Sequence, residues 1–176
     1  MQLIDANNTA EPLRSALVYA RRGWFVFPVH GIWKKEMCTC KKGKKCRHPG
    51  KHPKTPNGFK DATIDEKLIR EWFKVGDIAN IGIATGEKSN LLVIDVDLKN
   101  NGFESIKNLG LTDTLQVDSG GGGKHFYYEY PQSLSISSSG GKLAPGVDIR
   151  ANGGYIIAPP SIHISGKSYQ WSNYYA

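Results

Sequence analysis

Apolar and polar positions change period several times along the chain. Leu13, Ala16, Leu17 and Ala20 recur at helical spacing, with Pro12 at the start and Gly23 just beyond Arg22, which predicts an amphipathic helix. "WFVFPVH" (Trp24–His30) predicts a strand, and Pro28, lacking an N–H, assigns it to a sheet edge or a bulge. The Cys/Lys/His segment that follows is too polar and glycine-rich for either regular element. In "TIDEKLIREWFKVG", Thr63 and Glu66 stand at capping-box spacing ahead of an apolar stripe of Leu68, Ile69, Trp72 and Phe73.

Short strands are then predicted at Asn80–Thr85 and Leu91–Asp97, divided by the turn "GEKSN", and a brief helix around Phe103–Leu109. Further strands are predicted at Thr114–Asp118, Lys124–Tyr130, Val147–Arg150 and Tyr155–Ala158. "ANGG" between the last two signals a hairpin, because Asn and Gly tolerate positive φ. The low-complexity stretch Ser133–Lys142 reads as a mobile loop. Helix and mixed strands first, hairpins afterwards, is an α+β order, and no internal repeat interrupts it.

Composition narrows the class. A chain of 176 residues with 39% hydrophobic and 22% charged residues can bury a core as one compact domain or two tightly packed modules. No apolar run approaches the roughly 20 residues of a membrane helix, and "MQLIDANNTAEPL" holds no export signal. Cys38, Cys40 and Cys46 cannot all pair, which implies reduced thiols in a cytoplasmic setting with metal as their use. The net charge of +7 is local: Lys34, Lys35, Lys41, Lys42, Lys44, Lys45, Arg47, Lys51 and Lys54 face only Glu36 within their segment. Such a patch suits a polyanion, though a solvated lysine-rich loop has the same composition.

Candidate chemistry begins in "LLVIDVDLKNNG". Alternation puts Asp95 and Asp97 on one strand face, their Cα atoms roughly 6.6 Å apart. Two such carboxylates repel unless a cation sits between them, and Mg²⁺ or Mn²⁺ prefers such oxygens. The same pair also fits strand-end acids capping the next turn. In "DSGGGGKHFYYEY" a glycine run could bring backbone amides close to a phosphate, with His125 on the strand it enters. A loose hairpin with a core histidine is the plainer reading. "PGVDIRANGG" places Asp148 and Arg150 on one face, either as a surface ion pair or as a third carboxylate beside a phosphate-seeking guanidinium.

In this order, "ALVYARRGWFVFPVH", "GKHPKTPNGFKDATIDEKLIREWF", "ANIGIATG", "LLVIDVD", "SGGGGKHFYY" and "PGVDIRANGGYIIAPPSIHISGKSYQW" resemble the N-terminal bifunctional primase/polymerase (Prim-Pol) domain of the archaeo-eukaryotic primase superfamily. The resemblance implies one catalytic domain over residues 1–176, in which an α/β module packs on an RRM-like module with the active site between them. It implies that Asp95, Asp97 and Asp148 hold Mg²⁺ or Mn²⁺, that His125 meets the incoming triphosphate, and that Arg150, with Ser119, Gly122 and Gly123 of the glycine loop, binds the same nucleotide. The implied activity is template-directed joining of nucleoside triphosphates to a primer 3′-hydroxyl on single-stranded DNA by two-metal catalysis. Relatives continue beyond "YQWSNYYA" and are frequent on mobile elements, so a longer replication protein, with a helicase domain or protein as partner, is the expected setting.

"CTCKKGKKCRHPGKHPK" offers Cys38, Cys40, Cys46, His48 and His52 for one four-coordinate ion, which reads as a structural zinc knuckle at 38–52. Relatives with a similar C-x-C…C…G-K-H-P stretch favour His52 over His48. Two rival functions stand beside the polymerase. One is a catalytically silent RRM-like module that binds single strands through the knuckle and Tyr127, Tyr128 and Tyr130. The other is a metal-dependent nuclease or nickase, for which no compact H-x-H pair precedes a clear tyrosine nucleophile.

Overall fold

The computed structural model describes residues 12–34, 36–74 and 76–172; the N-terminal stretch inspected for an export signal lies almost wholly outside them. The first helix, α1 (Pro12–Arg21), buries Ala16, Leu17 and Ala20 of the predicted stripe together with Ser15 and Tyr19, while Leu13 is half-buried. It ends where Gly23 takes φ +82°. β1 (Val26–His30) is an edge strand, in keeping with Pro28. On its open side Lys54 N donates to Pro28 O at 2.9 Å and His30 N to His52 O at 3.0 Å, so residues 52–54 run along that edge.

The following segment is more regular than its composition predicts. β2 (Ile32–Trp33) and β3 (Met37–Cys38) form a short antiparallel ladder that carries Cys38. α2 (Glu66–Trp72) is capped by Asp65, whose carboxylate accepts from Lys67 N at 2.8 Å; Thr63 instead accepts from Asp65 N. The capping-box expectation was displaced by two residues because Asp is as good an N-cap as Thr and stands next to the helix. Ile69 and Phe73 are buried, whereas Leu68 and Trp72 are half-buried.

β4 (Ala79–Ala84) is buried throughout and lies between β1 and β10 (Tyr155–Ala158) in a three-stranded antiparallel sheet. The second sheet has six strands in the order β11-β6-β7-β5-β9-β8. These are β5 (Leu91–Val96), β6 (Leu115–Asp118), β7 (Lys124–Glu129), β8 (Ser139–Ala144), β9 (Val147–Arg150) and β11 (Gln170–Trp171). Two expectations are corrected here. "ANGG" does not close a hairpin: β9 pairs with β5 and β10 with β4, so this turn carries the chain from one sheet to the other. Part of the stretch read as a mobile loop, from Ser139 onward, is the strand β8, an edge that needs no apolar alternation to pair by its backbone.

α3 (Gly102–Ile106) lies on one face of the six-stranded sheet, where Phe103 and Ile106 pack against Ile94, Val96, Phe126 and Val147. The opposite face shares the larger core with the three-stranded sheet: Leu91, Val93, Val117 and Tyr127 pack in one cluster with Val26, Phe27, Ile81, Ile83 and Ile156. A single apolar interior therefore joins both sheets. The chain is mixed α+β, with antiparallel pairing in every ladder among the described residues.

Gly82 marks how tightly this interior closes. An added Cβ would lie 2.3 Å from the Phe27 ring. Gly82→Ala is expected to cost about 1–3 kcal/mol in urea denaturation; an unchanged midpoint would mean that Phe27 does not pack over β4.

Candidate active site and metal cluster

Four predicted site residues meet on the inner face of the six-stranded sheet. β5 lies between β7 and β9, and its register sets His125 opposite Asp95 on one side and Asp148 opposite it on the other. The next same-face row holds Tyr127, Val93 and Arg150. Val93 and Tyr127 are anchored in the larger core, so the Asp95 row is directed toward the three-stranded sheet. Arg150 reaches diagonally into that row. Its Nη2 lies 2.7 Å from Asp148 Oδ2 and 3.1 Å from Asp95 Oδ2, with Nε at 3.3 Å from the latter. Carboxylates directly opposite each other repel, and the guanidinium offsets that repulsion.

His125 Nε2 stands 3.4 Å from Asp95 Oδ1. Burial pushes the imidazole pKa down; Asp95 opposes this, and the charges of Arg150 and Lys51 add to the depression. These effects together favour the uncharged imidazole. His125 Nδ1 and Tyr127 Oη are buried without a hydrogen-bond partner, and an ordered water is the usual partner for such atoms.

Asp97 is placed differently. It is exposed at the end of β5, where Oδ1 accepts from Lys99 N and Oδ2 from Asn100 Nδ2, both at 2.9 Å. In this conformation it caps the turn that follows the strand. Ser119, Gly122 and Gly123 form the tight connection between β6 and β7 at the same end of the sheet. Gly122 N donates to Ser119 O at 2.9 Å and Gly123 N to Ser119 Oγ at 3.0 Å, so both amides are engaged inside the loop rather than turned toward a phosphate. Gly123 is needed for close approach: a Cβ there would lie 2.2 Å from Val96 O.

His163 approaches this site through the Tyr169 ring, which lies 5.9 Å from His125 and 6.4 Å from His163, and the charge of Lys51 bears on both histidines; neither residue was singled out from the sequence. Lys51 is one basic residue among many in its segment. His163 is a lone histidine on a loop, without a spacing signal. Their position follows from long-range contacts alone.

The match to known proteins covers most of the chain. A family model, bifunctional DNA primase/polymerase, N-terminal, matches residues 16–174. The chain belongs to the Prim-Pol family. Membership implies DNA primase/polymerase nucleotidyltransferase activity, with DNA and nucleotides as substrates, and Prim-Pol enzymes generally use divalent metals. No curated protein matches the chain. Among the described residues no helix is long and apolar enough to cross a membrane.

The Prim-Pol domain carries a second cluster. Cys38, Cys40, Cys46 and His52 bring their ligand atoms within 4.8 Å of one another, while His48 is exposed outside the group. His52 Nε2 lies 3.5 Å from Cys38 Sγ and 3.4 Å from Cys46 Sγ. A tetrahedron with Zn–S of about 2.3 Å and Zn–N of about 2.0 Å has S···N edges of about 3.5 Å, so the spacing suits such an ion. Lost hydration and the neighbouring Cys40 and Cys38 push the Cys46 thiol up to about 11, a crowding that a bound cation relieves. His52 is fixed by its backbone bond to β1 and by packing at a tilt against His30, ring centroids 4.6 Å apart.

Removal of the guanidinium tests the carboxylate pair. Arg150→Ala is expected to lose about 1 kcal/mol of stability in metal-free buffer, and added Mg²⁺ to stabilise the variant more than the parent in thermal melts. Equal Mg²⁺ shifts in both proteins would mean that Asp95 and Asp148 do not share a cation.

Proposed function

We propose that this Prim-Pol domain, residues 1–176, is a template-directed nucleotidyltransferase that joins nucleotides to a primer 3′-hydroxyl in replication, as a DNA primase, a DNA polymerase or both. The observation that carries this reading is the row His125–Asp95–Asp148 on adjacent central strands, bridged by Arg150. In this reading the six-stranded sheet with α3 behind it is the RRM-like half, and α1, α2 and the three-stranded sheet form the other, with the site between them.

The residues present suit hard divalent ions. Asp95 and Asp148 offer carboxylate oxygens, and the lodged guanidinium indicates that positive charge is accommodated between them. Asp97, two residues along β5, would join them by leaving its cap on Lys99 and Asn100. Mg²⁺ or Mn²⁺ held by these three acids would lower the pKa of the primer hydroxyl and neutralise charge on the departing pyrophosphate. Arg150, released from the carboxylates, pairs with phosphate oxygens through its two-pronged donor set. His125 donates from Nε2 to the same phosphates and helps align them for in-line attack.

The silent-module alternative loses its proposed stacking surface. Tyr127 and Tyr130 are buried, and Tyr128 is half-buried with Oη donating to Thr112 O at 2.9 Å. A silent module also gives no reason for Asp95 and Asp148 to face each other. The Cys38/Cys40/Cys46/His52 cluster is assigned to structural zinc, which fixes the basic segment for DNA contact.

Primer-extension assays with Mg²⁺ or Mn²⁺ test the main reading. Asp95→Ala, Asp97→Ala and Asp148→Ala are each expected to lower incorporation on the order of 10²-fold or more while DNA binding persists. Incorporation by Asp95→Ala at the parental rate would sink the proposal. Elemental analysis should find one zinc per chain, absent from Cys46→Ala. A metal-free parent with an unchanged melt after chelation would remove the zinc assignment.

A further inference from the structure

The β2–β3 ladder turns one face inward and the other to solvent. Ile32 pairs with Cys38, and both are buried; Trp33 pairs with Met37 on the opposite face. Trp33 is 44% exposed, and among the described residues no other Phe, Tyr or Trp is exposed. The stem beneath it is fixed. Thr39 N donates to Gly31 O at 3.0 Å, Gly31 N donates to Thr39 Oγ1 at 3.1 Å, and Cys38 joins the stem to the metal cluster. At the far end of the segment Asn80 Nδ2 donates to Gly50 O and to Ile162 O, both at 2.9 Å. Tyr155 Oη donates to Lys51 O at 2.9 Å. The exposed indole therefore stands on an anchored support.

Cations gather around it. Lys34 Nζ lies 5.8 Å from the centroid of the Trp33 ring. Glu36 N donates to Trp33 O at 3.2 Å, and Lys44 Nζ reaches the Glu36 carboxylate at 2.9 Å, so Lys44 lies beside the turn that carries Trp33. The single helical turn Gly43–Lys45 packs on Met37: a Cβ at Gly43 would lie 3.2 Å from Met37 Sδ. Lys41, Lys42, Lys45 and Arg47 are exposed, and among the described residues no carboxylate pairs with any of them. Glu36 is already engaged by Lys44, in an ion pair exposed on both sides. One apolar side chain in water is ordinary; here the exposed indole stands among ammonium groups that lack acidic partners.

We propose that Trp33 is a stacking platform for an unpaired base of single-stranded DNA, with Lys34, Lys44 and Lys45 taking the phosphates that flank that base. An unpaired strand offers what this surface can bind: π-faces of any base identity, and a backbone of negative charge. A duplex hides its base faces and meets only the cations. A membrane surface also attracts lysines, but binding there scales with buried apolar area, and the outer face of the ladder offers one indole and one thioether. The proposal rests on the polymerase reading for the identity of the strand, the unpaired part of the template, and not for the contact itself.

The test uses the full chain with its metal retained. Fluorescence anisotropy measures binding of three labelled probes of equal length: oligothymidylate, an abasic oligodeoxynucleotide and a blunt duplex. Trp33→Ala is expected to weaken oligothymidylate binding about tenfold and to leave the other two probes within about twofold. Trp33→Phe should recover most of the loss. Lys44→Ala and Lys45→Ala should weaken all three probes. Each should also lower the slope of log affinity against log salt by about 0.7 on the single strand, a slope that Trp33→Ala leaves unchanged. Parental oligothymidylate affinity in Trp33→Ala overturns the platform, as does an equal loss on the abasic strand. A loss confined to phosphatidylserine vesicles assigns the surface to a membrane and overturns it too. Should Trp33→Ala shed its zinc, Trp33→Leu, apolar but without a π-face, decides the matter by the same comparison. A parent that binds in this way yet incorporates no nucleotide defeats the polymerase reading and leaves the platform standing.

Discussion

Asp95 and Asp148 stand directly opposite each other on β5 and β9, and that juxtaposition of like charge governs the site. Two carboxylates at adjacent positions of a sheet are unfavourable unless a cation is present. Here the cation is Arg150, drawn diagonally from the neighbouring row to within 2.7 Å of one acid and 3.1 Å of the other. The sheet can hold this polar row because the row beside it, Tyr127 and Val93, is locked into an interior shared by both sheets. Rigid strands thus position charges that would otherwise separate.

The cysteine-rich segment shows a different balance. Cys38 is its one buried cysteine, and Lys41, Lys42, Lys44, Lys45 and Arg47 stay in solvent, so apolar packing supplies little of its order. Order comes from the short β2–β3 ladder, from backbone bonds to the β1 edge and from the four converging ligands. The Asn80 and Tyr155 contacts then fix the far end of the segment to β4 and β10. A small, charged excursion is in this way anchored to the three-stranded sheet.

Much of the fold was legible because its signals are local. Strand alternation in "LLVIDVD" assigned Asp95 to the polar side and Ile94 and Val96 to the apolar side, and the structure packs the latter two under α3. Helix spacing located α1. Asp97 was ambiguous for a physical reason: a carboxylate at a strand end can bind a cation or cap the next turn, and in this structure it caps. "ANGG" carried the right turn chemistry, but turn chemistry cannot say which sheet receives the next strand. That decision rests on β10 pairing with β4.

The sequence by itself determined which residue types could do chemistry and which face of each strand would carry them, since alternation, glycine tolerance and ligand chemistry need only neighbours along the chain. It also carried the family, through an ordered set of short motifs that matches residues 16–174. Only the tertiary structure decided that His125, Asp95 and Asp148 form one row, that Arg150 bridges it, and that the loops holding Gly50 and Ile162 meet on Asn80. Register between strands and a buried amide such as Asn80 act across dozens of residues, and their partners are fixed by packing of the whole interior.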